Sequence, residues 1–337
     1  MMRDGSSALP FVSVIMPVYN ETAFITRSVN AVMSQDYLQS RYEVIVADGM
    51  SNDGTAEILR TLQARYPTLM VIDNPGKIVA TGLNLATRIS RGEIVVRVDG
   101  HCEIAPDYLT KCVRHIMNDD VDAVGGSVTT VGLTRTAMAI AAAMSSRFGV
   151  GGAAFRTTTG KTVHADTVPF PAYKRSTIAL GGDYDEEQVR NQDDEYNYRL
   201  RAFGCKLLLA GDVQSQYFSR ASFRSLGRQY FGYGYWKVRV LQKHPRQMMP
   251  RQFVPPSFVL ALLLCAAGAP FIHAALMSLA VIGGSYASAV FAAALATAGP
   301  RRVAMVPLFL AAFPVLHLSY GAGFLVGIAK FWRRWLR

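Results

Sequence analysis

Three short segments of this 337-residue chain carry side chains at spacings that can do chemistry. Asp48-Gly-Met-Ser-Asn-Asp-Gly-Thr55 combines two carboxylates, two glycines and hydroxyl groups. The glycines let the backbone turn tightly beside a ligand, and Asp48 can accept hydrogen bonds from a base or a hydroxyl. The same run is also an ordinary Asp/Asn/Gly turn. Asp99-Gly-His101 sets a carboxylate and an imidazole two residues apart, a pair able to hold a divalent ion against a diphosphate leaving group, although alone it is equally at home in a plain loop. Asn191-Gln-Asp-Asp-Glu195 opens a helical stretch. Its carboxylates can cap the helix and offset its dipole, or one of them can act as a general base.

The elements around these segments decide whether they meet. Phe11–Pro17, Tyr42–Ala47, Leu69–Ile72 and Glu93–Val98 are β-type runs, separated by helical spacing over Glu21–Gln35, Ala56–Arg65 and Lys77–Arg88. Strict strand–helix alternation predicts right-handed crossovers and a mainly parallel α/β sheet covered on both faces. In such a sheet a ligand lies beyond the carboxyl ends of the strands. Asp48 and Asp99, 51 residues apart, both fall on that edge. Further on, Ala123–Thr129 and Lys206–Ala210 read as strands, Asp166–Pro171 as a strand and turn, and Thr136–Ser145 and Gln188–Phe203 as helices.

Charge divides the chain in two. From Ala221 onward there are thirteen Lys/Arg and no Asp or Glu, so the net +11 leaves 22 basic against 24 acidic residues for 1–220. That distribution, without a long basic run in the first part, argues against nucleic acid as the partner and for an anionic membrane surface. Ser222–His244 mixes aromatic and basic residues suited to a headgroup layer, among them Arg228, Tyr230, Tyr235, Trp236 and Lys237. The plainer reading is a helix packed on the preceding domain, and the two can hold together. Ser257–Pro300 contains 44 residues without a charge, about 66 Å as helix and enough for two crossings with a turn at Gly268–Phe271. Val303–Ile328 is a further apolar segment with basic flanks, Arg301-Arg302 and Lys330–Arg334; Pro307 and Pro314 could break it, so two or three spans are expected. Cys102, Cys112, Cys205 and Cys265 lack paired metal-site spacing and read as reduced thiols.

Together, Val12-Ser-Val-Ile-Met-Pro-Val-Tyr-Asn20, the Asp48 loop, Asp99-Gly-His101 and Gln192-Asp-Asp-Glu195 resemble a family-2 glycosyltransferase of the GT-A fold over about residues 10–245. Asp166-Thr-Val-Pro-Phe170, Phe231–Trp236 and His317–Phe324 are similar to the succinoglycan-type, ExoA-like glucosyltransferases. The resemblance implies a nucleotide-diphospho-sugar transferase domain over 1–220, a basic aromatic interfacial segment over 221–256 and a membrane region over 257–337. It implies that Pro17, Tyr19, Glu21, Asp48, Lys77 and Gly82 border the nucleotide, with Asp48 on the uracil side and Asp99 towards the phosphates. Asp99 and His101 would hold Mn²⁺ or Mg²⁺. Asp193 would be the base, with Asp194 as the other candidate. Arg228, Tyr230, Tyr235, Trp236 and Lys237 would meet an acceptor or lipid phosphate. The implied reaction is inverting transfer of one hexose, glucose first, from a UDP-sugar to a polyprenyl-diphosphate-linked saccharide. It would run on the cytoplasmic side of a bacterial cell membrane. The alternatives are a polyprenyl-phosphate glycosyltransferase, a processive synthase, and a non-catalytic nucleotide-binding scaffold.

Overall fold

The structure, a computed structural model, describes residues 9–151, 160–300 and 302–335. The chain divides into two units: Met1–Val128 with Thr158–Tyr217, and Thr129–Thr157 with Phe218–Arg337.

The first unit is built on a sheet. β1 (Val12–Val18), β2 (Tyr42–Asp48), β3 (Leu69–Asp73) and β4 (Ile94–Arg97) are its parallel part. α1 (Ile25–Met33), α2 (Thr55–Arg65) and α3 (Val79–Ile89) are the crossovers. β1 lies between β2 and β4 and is buried at every position, which is why its sequence is a continuous apolar run rather than an alternating one. Each fully buried Val or Ile there contributes roughly 1.5–3 kcal/mol.

Among the described residues the sheet is mixed, which corrects the expectation of a mainly parallel one. Beyond β4 come β8 (Ala172–Lys174), β6 (Ala123–Val131), β9 (Leu207–Phe218) and β5 (Cys102–Ile104), with β7 (Val163–His164) also beside β9. β8 runs antiparallel to β4 and β6, and β5 and β7 antiparallel to β9. Asp166–Pro171 is irregular, not a strand. β9 is twelve residues long, far beyond the short strand expected at Lys206–Ala210. The sequence reading had no place for α4 (Tyr108–Asn118) or α7 (Arg175–Gly181), which together with α8 (Gln192–Ala202) are the remaining α-helices among the described residues of this unit.

The second unit is helical: α5 (Arg135–Met144), α6 (Arg147–Val150), α9 (Phe223–Lys243), α10 (Val254–Gly268), α11 (His273–Ala298) and α12 (Val306–Phe331). α10 and α11 are separated by the turn expected at Gly268–Phe271, where Phe271 N donates to Gly268 O. α12 is one continuous helix through Pro314, so neither proline breaks it. At 1.5 Å per residue its 26 residues cover about 39 Å, enough to cross a bilayer. Three helical stretches, Pro250–Gly268, His273–Ala298 and Val303–Trp335, have mean hydropathies of 1.4, 1.8 and 1.8. Only 11, 11 and 22 % of these apolar segments is buried against protein, so most of their surface is left for another apolar medium. Arg301, expected as a flanking charge, lies outside the described residues.

α9 is packed lengthwise on α12. A Cβ on Gly234 would stand 2.0 Å from Tyr320 O, and one on Gly323 2.1 Å from Phe231 O. Only glycine lets the two backbones approach so closely. The aromatic residues of α9 follow the same contact: Tyr235 and Trp236 pack against Phe331 as tilted ring pairs, with centroids at 4.9 and 5.6 Å. Of the residues assigned to an acceptor phosphate, Arg228 is exposed, Tyr230, Tyr235 and Trp236 are half-buried, and Lys237 is buried.

Candidate active site

Parallel register sets the site. Val18, at the end of β1, is level with Asp48 at the end of β2, and Asp48 is level with Asp73 on β3. Val98 continues from β4 by donating to Ile15 O at 3.0 Å, which brings Asp99 out on the same edge. The structure therefore places the Asp48 loop and the Asp99-Gly-His101 turn on either side of β1.

The loops after β1 and β2 are laced by side chains. Ser51 Oγ donates to Asp48 Oδ1 at 2.5 Å and accepts from Asn20 N at 2.9 Å. Asn20 and Asn52 exchange two hydrogen bonds, with Asn20 Nδ2 donating to Asn52 Oδ1 at 3.1 Å and Asn52 N donating to Asn20 Oδ1 at 3.0 Å. Asp53 accepts from Thr22 N and Thr55 N. Desolvation would raise its pKa, but the hydrogen bonds from Thr22 and Thr55 outweigh it and lower it to about 2. Asn20 takes a left-handed conformation at φ 55°, tolerated by asparagine. Tyr19, 46 % exposed, is left standing at the rim against Gly49.

The loop after β3 joins this edge through Asn74 N, which donates to Asp48 O at 2.7 Å. Lys77 is exposed on it. Pro17 and Gly82, assigned to the nucleotide from resemblance, are both buried: Pro17 is within β1, and Gly82 packs α3 under the side chain of Asn74. They support the edge from below and offer it no exposed side-chain surface.

At the end of β4 the charges are held in pairs. Arg97 grips Asp99 with two hydrogen bonds, Nε to Oδ1 at 2.9 Å and Nη2 to Oδ2 at 3.2 Å. Burial would push the Asp99 carboxyl up, but the charges of Arg97 and His101 outweigh it and hold the carboxyl below the usual range. His101 Nδ1 meets Glu21 Oε1 at 2.8 Å. A carboxylate can only accept, so Nδ1 carries a proton; in the neutral ring Nε2 is then the nitrogen with the lone pair. Gly100 permits this closure: a Cβ there would press on Val18 and Glu21 at 3.1 and 3.2 Å. Glu21 thus belongs with His101.

Asp193 and Asp194 sit in the first turn of α8, both half-buried. Burial, then the neighbouring charge of Asp194, raise the pKa of Asp193, while Arg97 opposes them. Arg97 and Asp99 both act electrostatically on Asp193, which brings the base candidate to the strand edge from about a hundred residues away in sequence. Glu195, the other acid of that run, is 3 % exposed and bound to Arg199 at 2.9 Å, a structural pair.

Among the described residues no three or more His, Cys, Asp or Glu form a metal cluster. Asp99 and His101 nevertheless fit a divalent ion bound jointly with a diphosphate. The pair offers one carboxylate and one imidazole nitrogen whose tautomer a second carboxylate fixes, the arrangement typical of metal-bound histidine. Sequence reading missed Arg97, the grip on the whole centre; its signal was an arginine in the otherwise apolar run Ile94-Val-Val-Arg-Val98.

The sheet, its edge and the acids beyond it define a GT-A-like transferase domain. The Glycosyl transferase family 2 profile matches residues 13–178. The succinoglycan biosynthesis protein ExoA of Rhizobium meliloti (strain 1021) is 31 % identical over 333 residues, covering 95 % of this chain and 96 % of that protein. Glycosyltransferase AglE of Haloferax volcanii is 42 % identical over 126 residues, 36 % of this chain and 41 % of its own. The fold is shared with the mannosyltransferase PcManGT from Pyrobaculum calidifontis at TM-score 0.56 and 20 % identity, over 96 % of this chain and 87 % of that one. The chain belongs to glycosyltransferase family 2 and transfers sugar from a nucleotide-sugar donor to a glycan or lipid acceptor.

Proposed function

We propose that the protein adds a single hexose, glucose first among the candidates, from a UDP-sugar to a polyprenyl-diphosphate-linked saccharide, with inversion at the anomeric carbon. The observation that carries this reading is the meeting of Asp99, His101 and Asp193 at one strand edge through Arg97 and Glu21. Tyr19 and the Asp48 loop would take the nucleoside, and Lys77 stands exposed on the neighbouring loop. The Asp193 carboxylate would take the proton of the acceptor hydroxyl as its oxygen bonds to the anomeric carbon, while the bond to the diphosphate oxygen breaks and UDP leaves with the electron pair. Asp194 N donates to Asp193 Oδ1 at 3.0 Å, which orients the base.

Asp99 and His101 would hold Mn²⁺ or Mg²⁺, which when bound supplies positive charge to the departing diphosphate. The solved mannosyltransferase holds GDP-mannose and Mn²⁺. An imidazole donor favours Mn²⁺ over Mg²⁺. The three apolar stretches would anchor the chain as a multi-pass membrane protein with the transferase domain on the cytoplasmic side of a bacterial cell membrane. The basic residues of 221–256, Arg228 foremost, would meet the acceptor phosphate and anionic lipids. The test is incubation of the purified protein with a panel of UDP-sugars and extracted lipid-linked saccharides, read by mass spectrometry. One added hexose with inverted configuration is expected; a ladder of products, or UDP release without a glycosylated lipid, overturns the reading.

A further inference from the structure

Three stretches are long enough to cross a membrane, but the two longest helices differ in what surrounds them. α11 is exposed at 16 of its 26 positions and α12 at six of its 26. Much of the cover on α12 comes from α9, and the two helices run parallel. A Cβ on Gly227 would lie 3.6 Å from Val315 and 3.3 Å from Ser319, Gly327 stands against Tyr235 and Val238, and Gln242 Nε2 donates to Phe331 O at 3.0 Å. Residues 315–331 of α12 therefore keep level with 227–242 of α9.

That register decides whether α12 can cross. Val315 and Ser319 bracket the midpoint of α12, and Arg228, next to Gly227 on α9, is exposed at that level. An α12 that spanned the bilayer would hold this guanidinium near the midplane, where arginine is among the costliest side chains to place. α9 carries Arg224, Arg228, Lys237, Arg239 and Lys243 and no acid, so it is no crossing itself. Free of α9, α12 has only residues 306–314, about 14 Å at 1.5 Å per residue and less than half of a roughly 30 Å hydrocarbon core. The other face of α12 has the character of an interface. Leu318, Val326, Ile328 and Trp332 are exposed, with Lys330, Arg333 and Arg334 at the same end. Apolar side chains, a tryptophan and cations on one helix suit the layer between acyl chains and anionic headgroups. The basic residues before α12 (Arg302) and at its end also prefer one side of a membrane.

We infer that the chain crosses the membrane twice, through α10 and α11, and that α12 lies beside α9 in the headgroup layer as a lipid-binding surface. Its exposed apolar residues meet the acyl chains, and its terminal cations meet anionic headgroups on the side where α9 lies. The inference rests on the reading of the apolar stretches as a membrane anchor. Pro250–Gly268 and α11, 19 and 26 residues long, cover about 28 and 39 Å and suffice for the two crossings.

The test places one reporter cysteine at a time in the full-length protein. Cys205 and Cys265 are replaced by serine, while Cys102 and Cys112 are fully buried and stay. The reporters are Arg246→Cys between α9 and α10, Phe271→Cys in the α10–α11 turn and Trp335→Cys after α12, all at exposed positions. Sealed right-side-out and inverted vesicles are treated with a membrane-impermeant maleimide, and labelling after detergent lysis gives the total. Arg246→Cys and Trp335→Cys are expected to label in the same preparation, and Phe271→Cys in the other. Trp335→Cys on the side opposite Arg246→Cys overturns the inference; with Phe271→Cys also opposite, the anchor reading stands with three crossings. All three reporters on one side overturn the anchor reading, and the inference with it. A spin label on Leu318→Cys in nanodiscs containing phosphatidylglycerol gives a second, independent reading. In the headgroup layer an aqueous nickel chelate relaxes the label; relaxation by oxygen alone puts it in the bilayer centre and overturns the inference.

Discussion

The two units solve the problem of holding chain segments together in opposite ways. In the sheet unit, the loops at the carboxyl edge are held by directional side-chain hydrogen bonds: Ser51 to Asp48, Asn20 with Asn52, Arg97 to Asp99 and His101 to Glu21. In the helical unit, backbones meet across glycine, with Gly234 and Gly323 bringing α9 and α12 together. Polar contacts supplement this packing: Gln242 Nε2 donates to Phe331 O at 3.0 Å between α9 and α12, and His317 bonds the Tyr286 hydroxyl at 2.9 Å and the Phe148 carbonyl at 2.9 Å, joining α12, α11 and α6. Where water is available, geometry is set by pairing charges and amides; where the surroundings are apolar, it is set by close approach and a few polar contacts. Substitutions should therefore damage chemistry in one unit and assembly in the other.

The largest separation is expected from Asp193→Asn. Turnover should fall by about 10²–10⁴-fold while UDP binding is retained, measured by UDP release and calorimetry on the same sample. In the wild type the raised pKa of Asp193 places the acid limb of kcat/KM above the ordinary 3.8, with rate lost as pH falls and the base is protonated. An unchanged turnover in Asp193→Asn would remove the base from the account. Gly234→Val should do the converse. It forces α9 from α12 at a cost of about 1–3 kcal/mol, seen as a lowered unfolding midpoint in detergent, with UDP affinity preserved. His317→Leu should cost about 1–3 kcal/mol by leaving the Tyr286 hydroxyl and the Phe148 carbonyl without their partner, again with nucleotide binding intact. A loss of UDP affinity in either helical variant would break the contrast between the units.

His101→Asp is expected to move metal preference from Mn²⁺ towards Mg²⁺, an oxygen replacing an imidazole nitrogen; superimposable metal titrations would contradict this. The smallest effect belongs to Asp53. Its folded pKa is depressed from 3.8 to about 2, so its contribution to the laced loops is complete above pH 3.8 and is lost as pH falls towards 2. Asp53→Asn should flatten the acid dependence of amide exchange in residues 19–22 over that window, and an identical acid profile would show that the lacing does not depend on this charge.

The parallel half of the sheet was legible because its strands are fully buried and so spell themselves as apolar runs, as β1 and β2 do. The antiparallel half was less so. β9 alternates buried Val213, Ser215 and Tyr217 with exposed Gln214 and Gln216, a period-two signal whose polar members hid its length. α4 shows Leu109, Cys112, Val113 and Ile116 at helical spacing and was readable, yet it passed unread between Asp107 and Asn118. At the site, the motif carboxylates could be found locally, because turn residues follow strands in the sequence. The contacts that tune them could not. Glu21 and His101 are 80 positions apart and meet only because β1 and β4 are neighbours, and Asp193 reaches Arg97 only through the path of α8.

The central claim is that one strand edge holds both the ion and the diphosphate, under Asp193. Anomalous scattering from crystals of the full-length protein grown with UDP and Mn²⁺ tests it most directly. The account predicts an anomalous peak within bonding distance of His101 Nε2 and the Asp99 carboxylate, with the UDP phosphates on the same peak. An ion bound elsewhere, or UDP lodged away from β1 and β4, would contradict it.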